Sequence, residues 1–204
     1  MRNRDSHMVR LFGASLSAAV LLFSCENLPS GEVNEATNAL ESAAKDPDIV
    51  TYAPDSLRLA REKMATLQNE MRAQSQKPRV FRRYEGVKTL ALEVQKAVGK
   101  ASAEASTVKE HVKAEATDLL EALRSRTIPA YESQLWAAKR VRGIKLEAKL
   151  LTLADQARLS SADAEENLLS GSYAAAKAKA LAVKDTLTDG MNRLAEEARL
   201  AKGL

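Results

Sequence analysis

From residue 33 onward, apolar residues recur every three or four positions and nowhere settle into a period of two, so the chain reads as successive amphipathic helices. A first helix is predicted over 33–45, with Val33, Ala36, Leu40 and Ala43 on one stripe. Asp46-Pro47 ends it, because proline removes a backbone donor and disfavours helical backbone in the residue before it. A loop through Thr51 and Tyr52 leads to Pro54 and Asp55, where a proline and a carboxylate in the first turn suit a helix start. The second helix carries Leu57, Ala60, Met64, Leu67 and Met71 and stops near Gln76, before Pro78.

The third predicted helix, about 80–127, is the longest. Its stripe is Val87, Ala91, Val94, Val98, Ala101, Ala105, Val108, Val112, Ala116, Leu119 and Leu123. Consecutive spacings of four near Val112 form a stutter that relaxes left-handed supercoiling. At about 1.5 Å per residue this helix would be about 70 Å long. Pro129 marks a turn or at least a kink. A fourth helix over 130–169 carries Leu146, Leu150, Leu153, Ala157, Ala164 and Leu168, widened by Ile144, Ala148 and Leu151. Gly171 ends it and Ser172 opens a fifth, with Ala176, Ala180, Val183, Leu187, Met191 and Leu194 and a potential break at Gly190.

If the chain reverses at 128–130, Tyr84 lies opposite Tyr173. At an offset of 89, Tyr84, Lys88, Ala91, Val94 and Val98 also match Tyr173, Lys177, Ala180, Val183 and Leu187, a hint of internal duplication. The expected fold class is all-α: long antiparallel helical hairpins in an elongated, coiled-coil-like bundle over 33–204, with the hairpin turn near 128–130.

Composition sharpens this picture. Aromatic residues are 4% of the chain against 45% hydrophobic, so the core must be thin and built from Ala, Leu and Val. Gly at 8 and Pro at 5 are too few for a turn-rich all-β fold. Cys25 is the only cysteine, so no disulfide can form within the chain and helix packing must hold the fold.

The first residues are of another kind. MRNRDSHMVR carries Arg2, Arg4 and Arg10 against Asp5, and the uncharged run LFGASLSAAVLLF follows over 11–23. Basic residues and then a short apolar run form the export pattern, and 13 residues fall short of the roughly 20 that cross a hydrocarbon core. The expectation is a cleaved signal peptide over 1–24. Cleavage removes three of the 31 basic and one of the 27 acidic side chains, leaving a net charge of +2. A body so nearly neutral gives no reason to expect nucleic acid.

Leu22-Phe23-Ser24-Cys25 resembles the lipobox of bacterial lipoproteins, departing at Phe23, where a small residue is usual. The resemblance implies that Cys25 is acylated, palmitate included, and becomes the first residue of the processed chain, with 25–32 as acylated cysteine and tether. Two or more acyl chains hold a protein on a bilayer stably where one does not. In enterobacteria-like lipoproteins an aspartate after the cysteine retains the protein at the inner membrane. By that resemblance Glu26 points to the outer membrane, with the body facing the periplasm. Two further segments, Tyr52-Ala53-Pro54-Asp55 and Gly171-Ser172-Tyr173 with Ala176, Ala180 and Val183, resemble the Ala-rich helical domain of unknown function found in small envelope lipoproteins of Gram-negative bacteria, over about 33–105 and again 145–200.

Catalytic chemistry is not legible. His111, the one histidine of the processed chain, has only Glu110 and Glu115 beside it, whereas a metal site needs several ligands converging on one place. No nucleophile sits in a recognisable motif, no phosphate loop occurs, and Glu165-Glu166 and Glu196-Glu197 point apart on their helices. The expectation is no enzyme, no cofactor, no metal and no small-molecule substrate. Two stretches mix cations with aromatics: Lys77, Arg79, Phe81, Arg82, Arg83 and Tyr84, and Trp136 with Lys139, Arg140, Arg142 and Lys145. Arg79, Arg82, Arg83, Tyr84, Trp136 and Arg140 are therefore candidate binding residues for lipid headgroups, anionic wall polymers or an acidic partner. In the hairpin arrangement the two stretches lie about 50 Å apart and form separate sites.

The function these readings favour is a non-catalytic, membrane-anchored envelope lipoprotein, a helical structural or interaction module whose partner is an envelope protein or murein. The alternative is a helix-groove or tetratricopeptide-like adaptor that binds a protein partner. Exposure of the Leu57–Met71 stripe would favour the adaptor, and its burial would count against it.

Overall fold

The computed structural model describes residues 28–141 and 146–201; the expected signal peptide, Cys25, Arg142, Ile144 and Lys145 lie outside them. The described residues contain helices and turns and no strand, in agreement with the all-α reading. The helices are α1 (Ser30–Lys45), α2 (Pro47–Tyr52), α3 (Pro54–Ser75), α4 (Glu85–Ala122), α5 (Ile128–Lys139), α6 (Ala148–Leu169) and α7 (Tyr173–Ala201).

Local chemistry sets most boundaries. α1 begins at Ser30, so the last part of the expected tether is helical. Asp46 leaves the helical region and its carboxylate accepts from the N–H groups of Asp48 (2.8 Å) and Ile49 (3.4 Å). With Pro47 in the first turn this cap converts the expected Thr51-Tyr52 loop into α2, which buries Ile49. Pro54 opens α3 as expected. At the end of α6, Gly171 takes a positive φ of 82°, and the N–H groups of Gly171 and Ser172 bond the carbonyls of Leu168 and Asn167. That is a Schellman termination, and glycine is the residue that adopts this conformation without a Cβ penalty.

The expected third helix starts later than read. A single 3₁₀ turn at Arg79–Phe81 precedes α4, and Tyr84 stands at the helix cap. The larger correction is at Pro129. The chain does not reverse at 128–130; it runs from α4 through a π-helical turn at Leu123–Thr127 into α5, with helical dihedrals at Thr127 and Ile128. Proline has no N–H for the helical ladder and its ring crowds the preceding turn. The wider π turn, closed by the Ile128 N–H on the Leu123 carbonyl, accommodates it. The reversal falls instead between Lys139 and Ala148, so the expected 130–169 helix is two helices, α5 and α6, running antiparallel.

Side-chain pairs fix the directions. Glu32–Lys88 (3.7 Å) and Asp48–Lys109 (2.6 Å) place α1 and α2 parallel to α4, whereas Ser56–Glu104 (2.5 Å) and Lys63–Glu93 (2.5 Å) place α3 antiparallel. Further on, Lys177–Glu115 (2.7 Å) sets α7 parallel to α4, and the Arg158–Glu132 pair sets α6 antiparallel to α5. The result is two helical units, α1 to α3 packed on α4 and α6 and α7 packed on the end of α4 and α5, strung along one helical path of 38, 5 and 12 residues, roughly 80 Å of rise. Tyr84 and Tyr173 are not opposed; Tyr84 caps the start of α4 and Tyr173 begins α7.

Each unit has its own core. The first contains Ala36, Met64, Leu67, Val87, Ala91 and Val94, continued by Ala43, Ile49, Leu57, Ala101 and Ala105. The second is larger, with Leu120, Leu123, Ile128, Tyr131, Leu135, Leu153, Leu187 and Leu194. Fully buried alanines at 36, 60, 91 and 101 let the helices of the first unit approach closely, as a thin core demands. The helix expected to break at Gly190 runs through it, because Gly190 is where α7 meets Tyr131.

Candidate functional site

The two candidate stretches lie at opposite ends of the long helical path. The Lys77–Arg83 turn joins α3 to α4 at the end where the described chain begins, since Val33 packs in the same cluster as Tyr84 and Met71. Trp136 and Arg140 lie near the far end, roughly 75 Å of helical rise away, more than the hairpin arrangement implied.

The turn at the near end is built from below. Gln74 is buried; its amide nitrogen donates to Glu70 (2.7 Å) and its oxygen accepts from the Arg83 N–H (3.1 Å). Arg82 donates from its guanidinium to the carbonyls of Lys77 (2.9 Å) and Ser75 (2.9 Å), closing the loop. These bonds leave Val80 and Phe81 at the apex, 58% and 66% exposed. Arg79 and the Arg83 side chain are also exposed, and neither enters an ion pair among the described residues. Of the candidates there, Arg82 is spent on loop structure, and Tyr84, at 7% exposure, belongs to the core and not to a binding surface. Val80 and Phe81 belong to the cation-aromatic stretch read from the sequence but were not among its candidate binding residues; Pro78 followed by two large apolar residues between cations was the available signal.

At the far end, Trp136 is 61% exposed and the Lys139 ammonium stands 4.9 Å from its ring centroid, a cation–π contact. Arg140 is exposed at the end of α5.

Between the units lies a polar waist. Lys109 pairs with Asp48 of α2 and stands 5.9 Å from the Tyr173 ring of α7; Lys113 stands 5.6 Å from the same ring. The hydrogen bond to Asp48 raises the Lys109 pKa, against some desolvation, with Tyr173 and Tyr52 adding to the field. Glu115 is held below the usual carboxylate range, chiefly by its bond from Lys177 and secondarily by His111, whose Nδ1 lies 3.1 Å away. Lys109 at the waist thus feels both Tyr52 and Tyr173, from the two Tyr-containing motifs that the sequence separates by more than a hundred residues.

Among the described residues no group of three or more His, Cys, Asp or Glu side chains converges as a metal site. A groove of about 360 Å³ beside the π turn is lined by Arg124, Glu132, Arg158, Ser161 and Glu165, with the Ser161 hydroxyl unpartnered. Its two cations face two carboxylates, and Arg158 is paired to Glu132 and Asp155. No helix among the described residues is long and apolar enough to cross a membrane.

Residues 31–117 match the model of a family described as a domain of unknown function, DUF4398. The matched region spans α1 to α3 and most of α4, ending just beyond the waist, so it corresponds to the first helical unit. The likeness read from the sequence at 145–200 lies outside it. No curated protein matches the chain. No solved structure matches it either.

Proposed function

We propose that this chain is a non-catalytic envelope lipoprotein, held on a bacterial membrane by acyl chains on Cys25, with its helical body acting as a structural or interaction module in the periplasm. One observation carries the reading. Leu28, three residues after Cys25, enters at one end of a helical path of roughly 80 Å, so an anchor there holds the body by its tip. The far end, with Trp136 and Arg140, then stands away from the bilayer, in reach of an envelope protein or murein. Glu26 favours the outer membrane by resemblance to enterobacteria-like lipoproteins. The groove-adaptor alternative is weakened by burial of Leu57, Ala60, Met64 and Leu67, the stripe that would have had to face a partner.

Detergent phase partitioning of the protein from its native host, beside Cys25→Ala, tests the anchor. The wild type should enter the detergent phase and carry a diacyl or triacyl mass on Cys25, and the variant should do neither. An unmodified thiol at Cys25 in the wild type overturns the proposal.

A further inference from the structure

We propose that the α3–α4 turn is a second membrane contact: Val80 and Phe81 enter the headgroup layer of an anionic bilayer while Lys77, Arg79 and Arg83 lie against its phosphates. The orientation rests on the anchor at Cys25; the contact itself does not.

Three observations converge on this turn. First, it is rigid by construction, with buried Gln74 bonded to the Arg83 N–H and the Arg82 guanidinium bridging two carbonyls across the loop, so the exposure of Val80 and Phe81 is imposed. Holding two large apolar side chains out in water serves no packing purpose, and apolar residues ringed by polar ones mark a surface meant to be covered. Second, residues 77–84 contain Lys77, Arg79, Arg82 and Arg83 and no acid. Glu85 follows at the start of α4, and Glu70 is engaged by Gln74. Basic residues around a small apolar wedge complement an anionic lipid surface, which attracts each cation while the interface takes up the aromatic ring. Third, the turn lies at the end of the rod where Leu28 is placed, since Glu32 pairs with Lys88 one helical turn beyond Tyr84. An acyl anchor at Cys25 therefore delivers this turn to the bilayer. Two contacts on one surface act through effective concentration, so each strengthens the other.

The test uses the processed chain, residues 25–204 with Cys25→Ser, which has no acyl group and contains every described element. Co-sedimentation is measured with vesicles of phosphatidylglycerol and phosphatidylethanolamine and with pure phosphatidylcholine vesicles. Binding to the anionic vesicles alone is expected, weakened about tenfold or more by Phe81→Ser with Val80→Ser. Neutralising Arg79 and Arg83 should cost roughly fivefold for each charge. In a Trp136→Phe background, Phe81→Trp should give a tryptophan quenched by brominated lipid. Circular dichroism confirms that the variants remain helical. No binding to anionic vesicles, or binding indifferent to the apex substitutions, overturns the proposal, as does preference for a soluble polyanion over vesicles. If Cys25 is acylated in the host and this chain ignores vesicles, the turn contact falls and the anchor stands; the reverse outcome removes the anchor and keeps the turn.

Discussion

Gly190 of α7 lies flat against Tyr131 of α5: a Cβ built on the glycine meets the ring at 2.7 Å and the Leu153 Cδ2 at 2.6 Å. The leucine methyl can swing away, but the tyrosine ring cannot, because its hydroxyl donates to the Leu150 carbonyl at 2.6 Å. Gly190→Ala gains about 1 kcal/mol of helix propensity and loses more to overpacking, which commonly costs about 1–3 kcal/mol. We expect a net loss of roughly 1 kcal/mol in urea unfolding. A stabilised variant would show that the two helices do not approach so closely.

Burial raises the Tyr131 pKa above the usual phenol value near 10. The protonated phenol is therefore the form the fold favours. Its contribution is fully present below the unfolded-state pKa and is lost as pH rises through the higher folded value. Tyr131→Phe should cost about 1 kcal/mol at neutral pH through the lost hydrogen bond. It should also lose less of its remaining stability than the wild type as pH climbs above about 10. Parallel alkaline stability curves for the two proteins would contradict this account.

Glu115 has the opposite sign. Its carboxyl pKa is depressed, first by the bond from Lys177, so the stability it lends is present above the unfolded carboxylate value and lost as pH falls through the folded one. Lys177→Met should move the Glu115 titration upward when followed by carboxyl-carbon NMR. The effect on overall stability should be slight, because the pair is partly solvated. An unmoved titration would mean that Lys177 does not hold this carboxylate in solution.

The two cores share α4 and meet otherwise through polar contacts at Lys109 and Lys113. Leu67→Ala, at a fully buried site, should destabilise the first unit by about 2–5 kcal/mol. Hydrogen exchange should then quicken in α1 to α3 and stay near wild type in α6 and α7. Equal loss of protection in both units would show one cooperative core.

The repeating apolar stripes, the end of α1 at Asp46-Pro47, the proline start of α3 and the Gly171 stop were determined by the sequence itself. Each is a local matter of period, a missing donor or a permitted φ. Candidate binding residues such as Arg79 and Trp136 were legible as types, but not their roles: Arg82 turns inward to carbonyls and Tyr84 into the core because the α3–α4 turn folds over Gln74. Only tertiary structure decided that Pro129 would be carried through a π turn. Its missing hydrogen bond is a small local cost, whereas continuing the helix lets Ile128, Tyr131 and Leu135 join Leu120 and Leu123 in one core. The reversal, the parallel placement of α7 and the meeting of Tyr173 with Lys109 follow from that choice. They depend on which faces bury together across the whole chain, and no short window of sequence contains that information.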